Sequence, residues 1–334
     1  MKFQKHALFF LLLAASCTSG PQGTPVSVMP DLPIEREYVL AARQVDDTRL
    51  PRLADAQFAL VLDRIAARVK EYLGYRITFT MKPALDLLAF RSEMAYIEDL
   101  PAMKEVRGYL LDPEKAADRE RLRSDIAKTI GAAPDRVLAM QVKDFGKFPD
   151  RASLAGHVYR GYVDNLRKIY QIPTHDVTLL ADPAYLETLT YPFWDMAVRE
   201  YGGAQFILSN TVMADMETEL PIYVILRGGV TTGLTERNEK SHVGGAIVLF
   251  TLPFISDDNF FTAAREEAIP AHEMTDVIAL YAVHEFGHLL NHYKDYSDHE
   301  NCIMVPAHGL NYYKWYRERK EKKCELPHEK LAGF

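Results

Sequence analysis

A chain of 334 residues, 48% hydrophobic and 25% charged, has the composition of an ordinary globular protein with room for a sizeable core in one or two domains. Its formal net charge of -7 provides no basic surface, which argues against nucleic acid as a partner.

The first elements read as an address rather than as fold. Lys2 and Lys5 precede an uncharged apolar run from Ala7 to Ala15, the layout of a secretory signal and too short for a comfortable membrane span. Ala14-Ala15-Ser16-Cys17 resembles a bacterial lipobox, with Ala in place of the more common Leu at its first position. The resemblance implies cleavage before Cys17, lipidation of that residue and, with Thr18 beside it, sorting to the outer membrane. Residues 1–16 are then a lipoprotein signal peptide and residues 17–33, rich in Ser, Gly, Pro and Thr, a flexible tether. An ordinary secretory signal with cleavage nearby is the alternative. Lipidation of Cys17 leaves Cys302 and Cys324, which an oxidising compartment would pair as a disulfide.

Beyond the tether, Arg36 to Val45 has strand character. Ala54 to Leu73 carries Phe58, Leu62, Ile65, Val69 and Tyr72 at three- and four-residue steps and stops at Gly74, which predicts a helix with one buried face. Tyr75 to Met81 alternates with period two, a strand, so the opening unit is β-α-β and favours a parallel pair. Residues 85–200 read as a mainly helical insertion, with helical periodicity over Glu114 to Ile130 and Ala152 to Ile172. Strand signals return at Gln205 to Ser209, Ile222 to Arg227 and Ala246 to Leu252, bounded by glycines and Pro253, and a polar loop around Ser256 to Asn259 follows. A helix is then expected over Met274 to Asn291.

That helix carries His284-Glu285-Phe-Gly-His288. Histidines four apart lie on one helix face one turn apart, so both imidazoles can reach one ion, and the residue after the first can reach a water on that ion. This is the spacing of a hydrolytic zinc site: His284 and His288 as ligands, Glu285 as general base, and a zinc-bound water as the attacking group. The same spacing also occurs by accident on amphipathic helices. Its placement on a helix that follows a glycine-bounded strand is what distinguishes the two readings.

With Cys302-Ile303-Met304 shortly downstream, the arrangement resembles the metzincin clan of zinc peptidases, and archaemetzincins most. The resemblance implies an α/β (α+β) zincin catalytic domain at 34–334 with a mixed sheet, an active-site helix and the helical insertion. It also implies one catalytic Zn2+, Met304 in a methionine turn beneath the metal, and the strand Ala246 to Leu252 as the edge to which a peptide substrate adds. The family motif continues to Gly and a third His. Here Asn291 stands for the Gly, as the next-best residue for a left-handed helix end, and Lys294 stands where the third ligand belongs. His299, Asp295, Asp298 and His292 are the possible substitutes. His292 lies about 12 Å along the helix axis from His284 if the helix continues, too far to share an ion. His299 is the better zinc ligand by chemistry, and Asp295 is one residue out of register with the family position. Glu300 as a ligand would mark a different clan. The family's second, four-cysteine zinc lacks its cysteines here; a Cys302–Cys324 disulfide would pin the expected C-terminal helix, Asn311 to Lys323, in its place, with a mixed site using His308 or His328 as the alternative. The Lys/Arg-rich face of that helix reads as a solvated surface.

The expected protein is therefore an exported, lipid-anchored, monomeric zinc metalloendopeptidase acting on peptides or proteins and touching the membrane only through its anchor. A cell-surface binding lipoprotein with a catalytically inactive metal site is the alternative.

Overall fold

The computed structural model describes residues 32–93, 111–142, 145–170, 173–174, 177–178, 191–201, 203–220, 222–232, 243–293, 295, 302–307 and 309–322. The expected signal segment, Cys17, most of the tether, Lys294, Asp298, His299, Glu300, His308, Cys324 and His328 lie outside them.

The opening unit forms as its periodicities dictate. Strand β1 (Glu37–Asp46) leads into helix α1 (Asp55–Leu73), which buries Phe58, Val61, Leu62, Ile65 and Val69 and ends where Gly74 adopts φ 81°. Strand β2 (Arg76–Met81) returns parallel to β1, with Glu37 opposite Arg76 and Ala42 opposite Met81. The two-residue β3 (Leu85–Asp86) also pairs with the end of β1.

Between this unit and the rest of the sheet, the described chain is mainly helical. It holds α2 (Leu87–Glu93), α3 (Ala116–Ala132), α4 (Asp135–Gln141), α5 (Arg151–Tyr170), a small hairpin of β4 (Pro173–Thr174) and β5 (Val177–Thr178), and α6 (Tyr191–Tyr201). Helices α3 and α5 pack together, with Leu122, Ile126, Ile130, Leu154 and Leu166 buried. Arg151 donates to the carbonyls of Ile130 and Gly131, satisfying acceptors that the end of α3 leaves open.

Strand β6 (Phe206–Ser209) pairs parallel with β1. A separate antiparallel hairpin of β7 (Met213–Glu217) and β8 (Tyr223–Arg227) runs through Gly228 into β9 (Gly229–Thr232), and β10 (Ala246–Phe250) follows. The main sheet has the order β2-β1-β6-β10-β9, all parallel except β9, which is antiparallel to β10. The fold is thus a mixed α/β one.

Short helices α7 (Leu252–Ile255) and α8 (Asn259–Arg265) flank the expected polar loop, of which Ser256 to Asp258 are non-helical. Helix α9 (Met274–Asn291) then packs along α1, where Arg64 pairs with Asp276, and against the sheet, where Phe286 meets Phe206 and Phe79. Alternation along β10 separates the two faces: Leu249 lies on the α9 side, and Phe250 meets Trp194 of α6 on the other. Helix α10 (Tyr312–Arg319) is shorter than the expected Asn311 to Lys323: Asn311 is its cap and accepts from the Lys314 backbone N–H, and the helix ends at Arg319 with Lys320 as its C-cap. No described helix is long and apolar enough to cross a membrane.

One expectation about the sheet is corrected. Ala246–Phe250 is interior, paired with β6 on one side and β9 on the other; among the described residues the edge strand on this side of the sheet is Gly229–Thr232. All five β10 residues are buried, as a strand covered on both faces requires.

Candidate metal centre

Helix α9 presents His284 and His288 on one face, and both side chains are well buried. His284 Nδ1 lies 2.9 Å from the Ile303 carbonyl and His288 Nδ1 lies 2.5 Å from the Tyr293 carbonyl. A carbonyl can only accept, so each Nδ1 carries the proton and each Nε2 is turned toward the other ring. The two Nε2 atoms are 3.3 Å apart.

The third member arrives through the way α9 ends. The residue in the left-handed region is His292 (φ 54°), not Asn291, which stays helical and extends its amide to the Tyr75 hydroxyl at 3.3 Å. His292 N donates to His288 O and Tyr293 N to Gly287 O, a closing turn that brings the Tyr293 carbonyl back onto His288. Because the turn comes one residue later than expected, the side chain delivered to the imidazoles is Asp295. Its Oδ1 is 3.3 Å from His284 Nε2 and 3.3 Å from His288 Nε2.

These three atoms form a triangle with 3.3 Å edges. Donors on a tetrahedral zinc, at bond lengths of about 2.0–2.1 Å, stand about 3.3 Å from one another, so the spacing fits one face of such an ion. Two imidazoles and a carboxylate suit zinc better than calcium or magnesium, which take oxygen donors. His284, His288 and Asp295 are the group that could hold a metal among the described residues.

In the metal-free protein a proton substitutes for the cation. Burial disfavours the charged form of His288, but the hydrogen bond and charge of Asp295, with Glu285 adding to them, outweigh it and raise the imidazole to about 9. Desolvation within the cluster likewise pushes Asp295 upward, and the two imidazoles set against its Oδ1 outweigh that and hold it well below the usual carboxylate range. Asp295 is 42% exposed, so the cluster opens to solvent on its side.

Glu285 is buried beside this cluster. Thr231 of β9 donates its hydroxyl to Glu285 Oε2 at 2.8 Å and lies 3.0 Å from the Glu285 carbonyl. Two residues earlier on the same strand face, Gly229 leaves room for the other oxygen: a Cβ there would lie 3.1 Å from Glu285 Oε1 and 2.9 Å from the Tyr281 ring. On the opposite face of the strand, Thr232 bonds to Asp195 of α6.

An aromatic wall backs His284. Tyr281, one turn earlier on α9, stacks on it with ring centres 5.7 Å apart, and Trp315 meets it edge-on at 6.2 Å. The Tyr312 hydroxyl accepts from Gly228 N at 2.6 Å, and burial holds the phenols of Tyr281 and Tyr312 well above their usual range. Beneath the helix, fully buried Met304 sets its thioether against Gly287. Cys302 is disulfide-bonded, and its sulfur accepts from Met304 N at 3.3 Å.

The residues singled out in the sequence therefore divide. His284, His288 and Asp295 come together, Glu285 lies beside them, and Met304 lies under their helix; His299, Cys17 and Cys324 lie outside the described residues. Thr231 and Gly229 were not anticipated, because a four-residue strand of small and β-branched residues carries no sign of what its alternate faces meet. No protein-family model, curated protein or solved structure matches this chain.

Proposed function

We propose that the chain is a metal-binding protein that holds one zinc ion on His284, His288 and Asp295. The observation that carries this reading is the triangle of donor atoms with 3.3 Å edges. Its most direct expression is retention: a cell-surface binding lipoprotein whose ion closes the turn after α9, since the carbonyl-locked imidazoles and the convergent carboxylate are what holding an ion requires. Export on a lipid anchor at Cys17 is part of the same proposal and rests on the Lys2-to-Cys17 pattern.

The second reading, a metzincin-like zinc peptidase, is favoured by a specific observation: a buried carboxylate, Glu285, fixed beside the cluster by Thr231 and close enough to raise His288. A bound zinc would supply a Lewis acid and lower the pKa of a water. Glu285 would then take the proton of the attacking water and return it to the leaving amine. The antiparallel edge strand β9 would align a peptide by main-chain hydrogen bonds. Met304 beneath Gly287 and the order of strands around α9 support the same resemblance.

Metal analysis of the purified protein tests the first reading. One zinc per chain is expected, lost in Asp295→Ala and retained in His299→Ala; the reverse pattern would sink the assignment. Turnover of a mixed-sequence quenched-peptide library, abolished by Glu285→Ala with zinc retained, supports the peptidase. Stoichiometric zinc without turnover supports the binding protein.

A further inference from the structure

We infer that Thr231 is a positioning residue, which aims Glu285 and makes the edge strand that would receive a peptide also the holder of the base. The inference rests on the peptidase reading. Among the described residues, one strand face meets both oxygens of the Glu285 carboxylate: Thr231 Oγ1 bonds Oε2 at 2.8 Å, and Gly229, two residues before it, clears the space beside Oε1. Period-two alternation puts both residues on the side facing α9.

The arrangement does more than fill space. A glutamate side chain has three rotatable bonds, and a base that must reach a water on a neighbouring ion gains from having them set beforehand. Thr231 sets them from outside α9, on a strand paired to β10 at Ile247. The next residue, Thr232, ties the strand's other face to Asp195 of α6. One short strand thus joins the helical insertion, the would-be substrate edge and the carboxylate, so a shift of β9 on binding a peptide would be felt by Glu285 directly.

The test compares Thr231→Val, which keeps the shape and removes the hydroxyl, with Thr231→Ser, which restores it, in the zinc-loaded full chain. Against a quenched-peptide library, Thr231→Val is expected to lower kcat about 10- to 100-fold with KM within about twofold and one zinc retained, and Thr231→Ser to return kcat to within about threefold of wild type. A second readout needs no turnover: in metal-free protein, a double-mutant cycle of Thr231→Val and Glu285→Ala should show coupling of at least about threefold in the unfolding equilibrium constant. Full kcat in Thr231→Val while Glu285→Ala is inactive would overturn this inference alone. So would equal losses in the Val and Ser variants, loss of zinc in Thr231→Val, or additive unfolding effects. Turnover that is absent in wild type, or that survives Glu285→Ala, would overturn the peptidase reading and this inference with it.

Discussion

The thioether of Met304 occupies the volume that a side chain on Gly287 would need, one residue before the ligand His288. Glycine inside a helix costs about 1 kcal/mol relative to alanine, so its presence here is explained by that contact rather than by the helix. Met304 is fully buried, and an added methyl would have to displace it.

Gly287→Ala should therefore destabilise the protein despite its better helix propensity, by a net of about 1 kcal/mol once overpacking of about 1–3 kcal/mol is set against the propensity gain. In a Met304→Ala background the same substitution should become neutral or stabilising, because only the propensity gain remains. Urea unfolding of the four proteins checks this, and additivity would contradict the shared volume.

The proton that bridges the metal-free site should make its stability and its metal affinity vary oppositely with pH. The His288 imidazole is raised to about 9 from an ordinary 6.5, so its stabilising contribution is complete below about 6.5 and is lost as pH rises through about 9. Zinc must displace that proton, so its apparent affinity should increase over the same interval, by up to tenfold per pH unit. Unfolding curves of chelator-treated protein, and zinc competition at several pH values, measure the two trends. Asp295→Asn should flatten both.

A second titration should come from a carboxyl that is not part of the cluster. Burial pushes Asp46, at the end of β1, up to about 6, against the lowering effect of the Asn210 N–H and Arg52. A carboxyl raised in the folded state favours folding when protonated, so its contribution is complete below about 4 and is lost as pH rises toward and past 6. The loss should be on the order of 2–3 kcal/mol. Asp46→Asn should remove that slope, which urea unfolding between pH 4 and 7.5 would show.

Cys302 should matter to the metal although it is not a ligand. It is disulfide-bonded and adjoins Ile303, whose carbonyl holds His284 Nδ1. Freeing that loop in Cys302→Ser should weaken zinc binding about 10-fold or more, the usual size of an effect on a ligand's hydrogen-bond partner. Chelator competition on the variant and on reduced wild type checks it, and unchanged affinity would mean that the loop stands without its crosslink.

Much of this architecture was legible as periodicity. The β-α-β opening shows itself in the helical spacing of Phe58, Leu62, Ile65 and Val69, in Gly74, and in the alternation of the strand after it. The pairing of His284 with His288 is legible for the same reason. The identity of the edge strand was not: Ala246–Phe250 reads as a strand, but its order depends on non-local pairing with β6 and β9. Its unbroken apolar run does carry the mark of a strand buried on both faces. The place of Asp295 was hidden by one residue of helix. A left-handed histidine, His292, ends α9 where glycine or asparagine would announce the turn, and every downstream position shifts with it.

Both imidazoles are oriented by main-chain oxygens, those of Ile303 and Tyr293, rather than by side-chain acids. Every residue type offers that oxygen, so the support of this centre leaves no lettered trace. The two hydrogen bonds themselves ask nothing of the side chains at 293 and 303, which answer instead to the core they are buried in, so a signature of the centre's own support reduces to the ligands and the length of the turn between them.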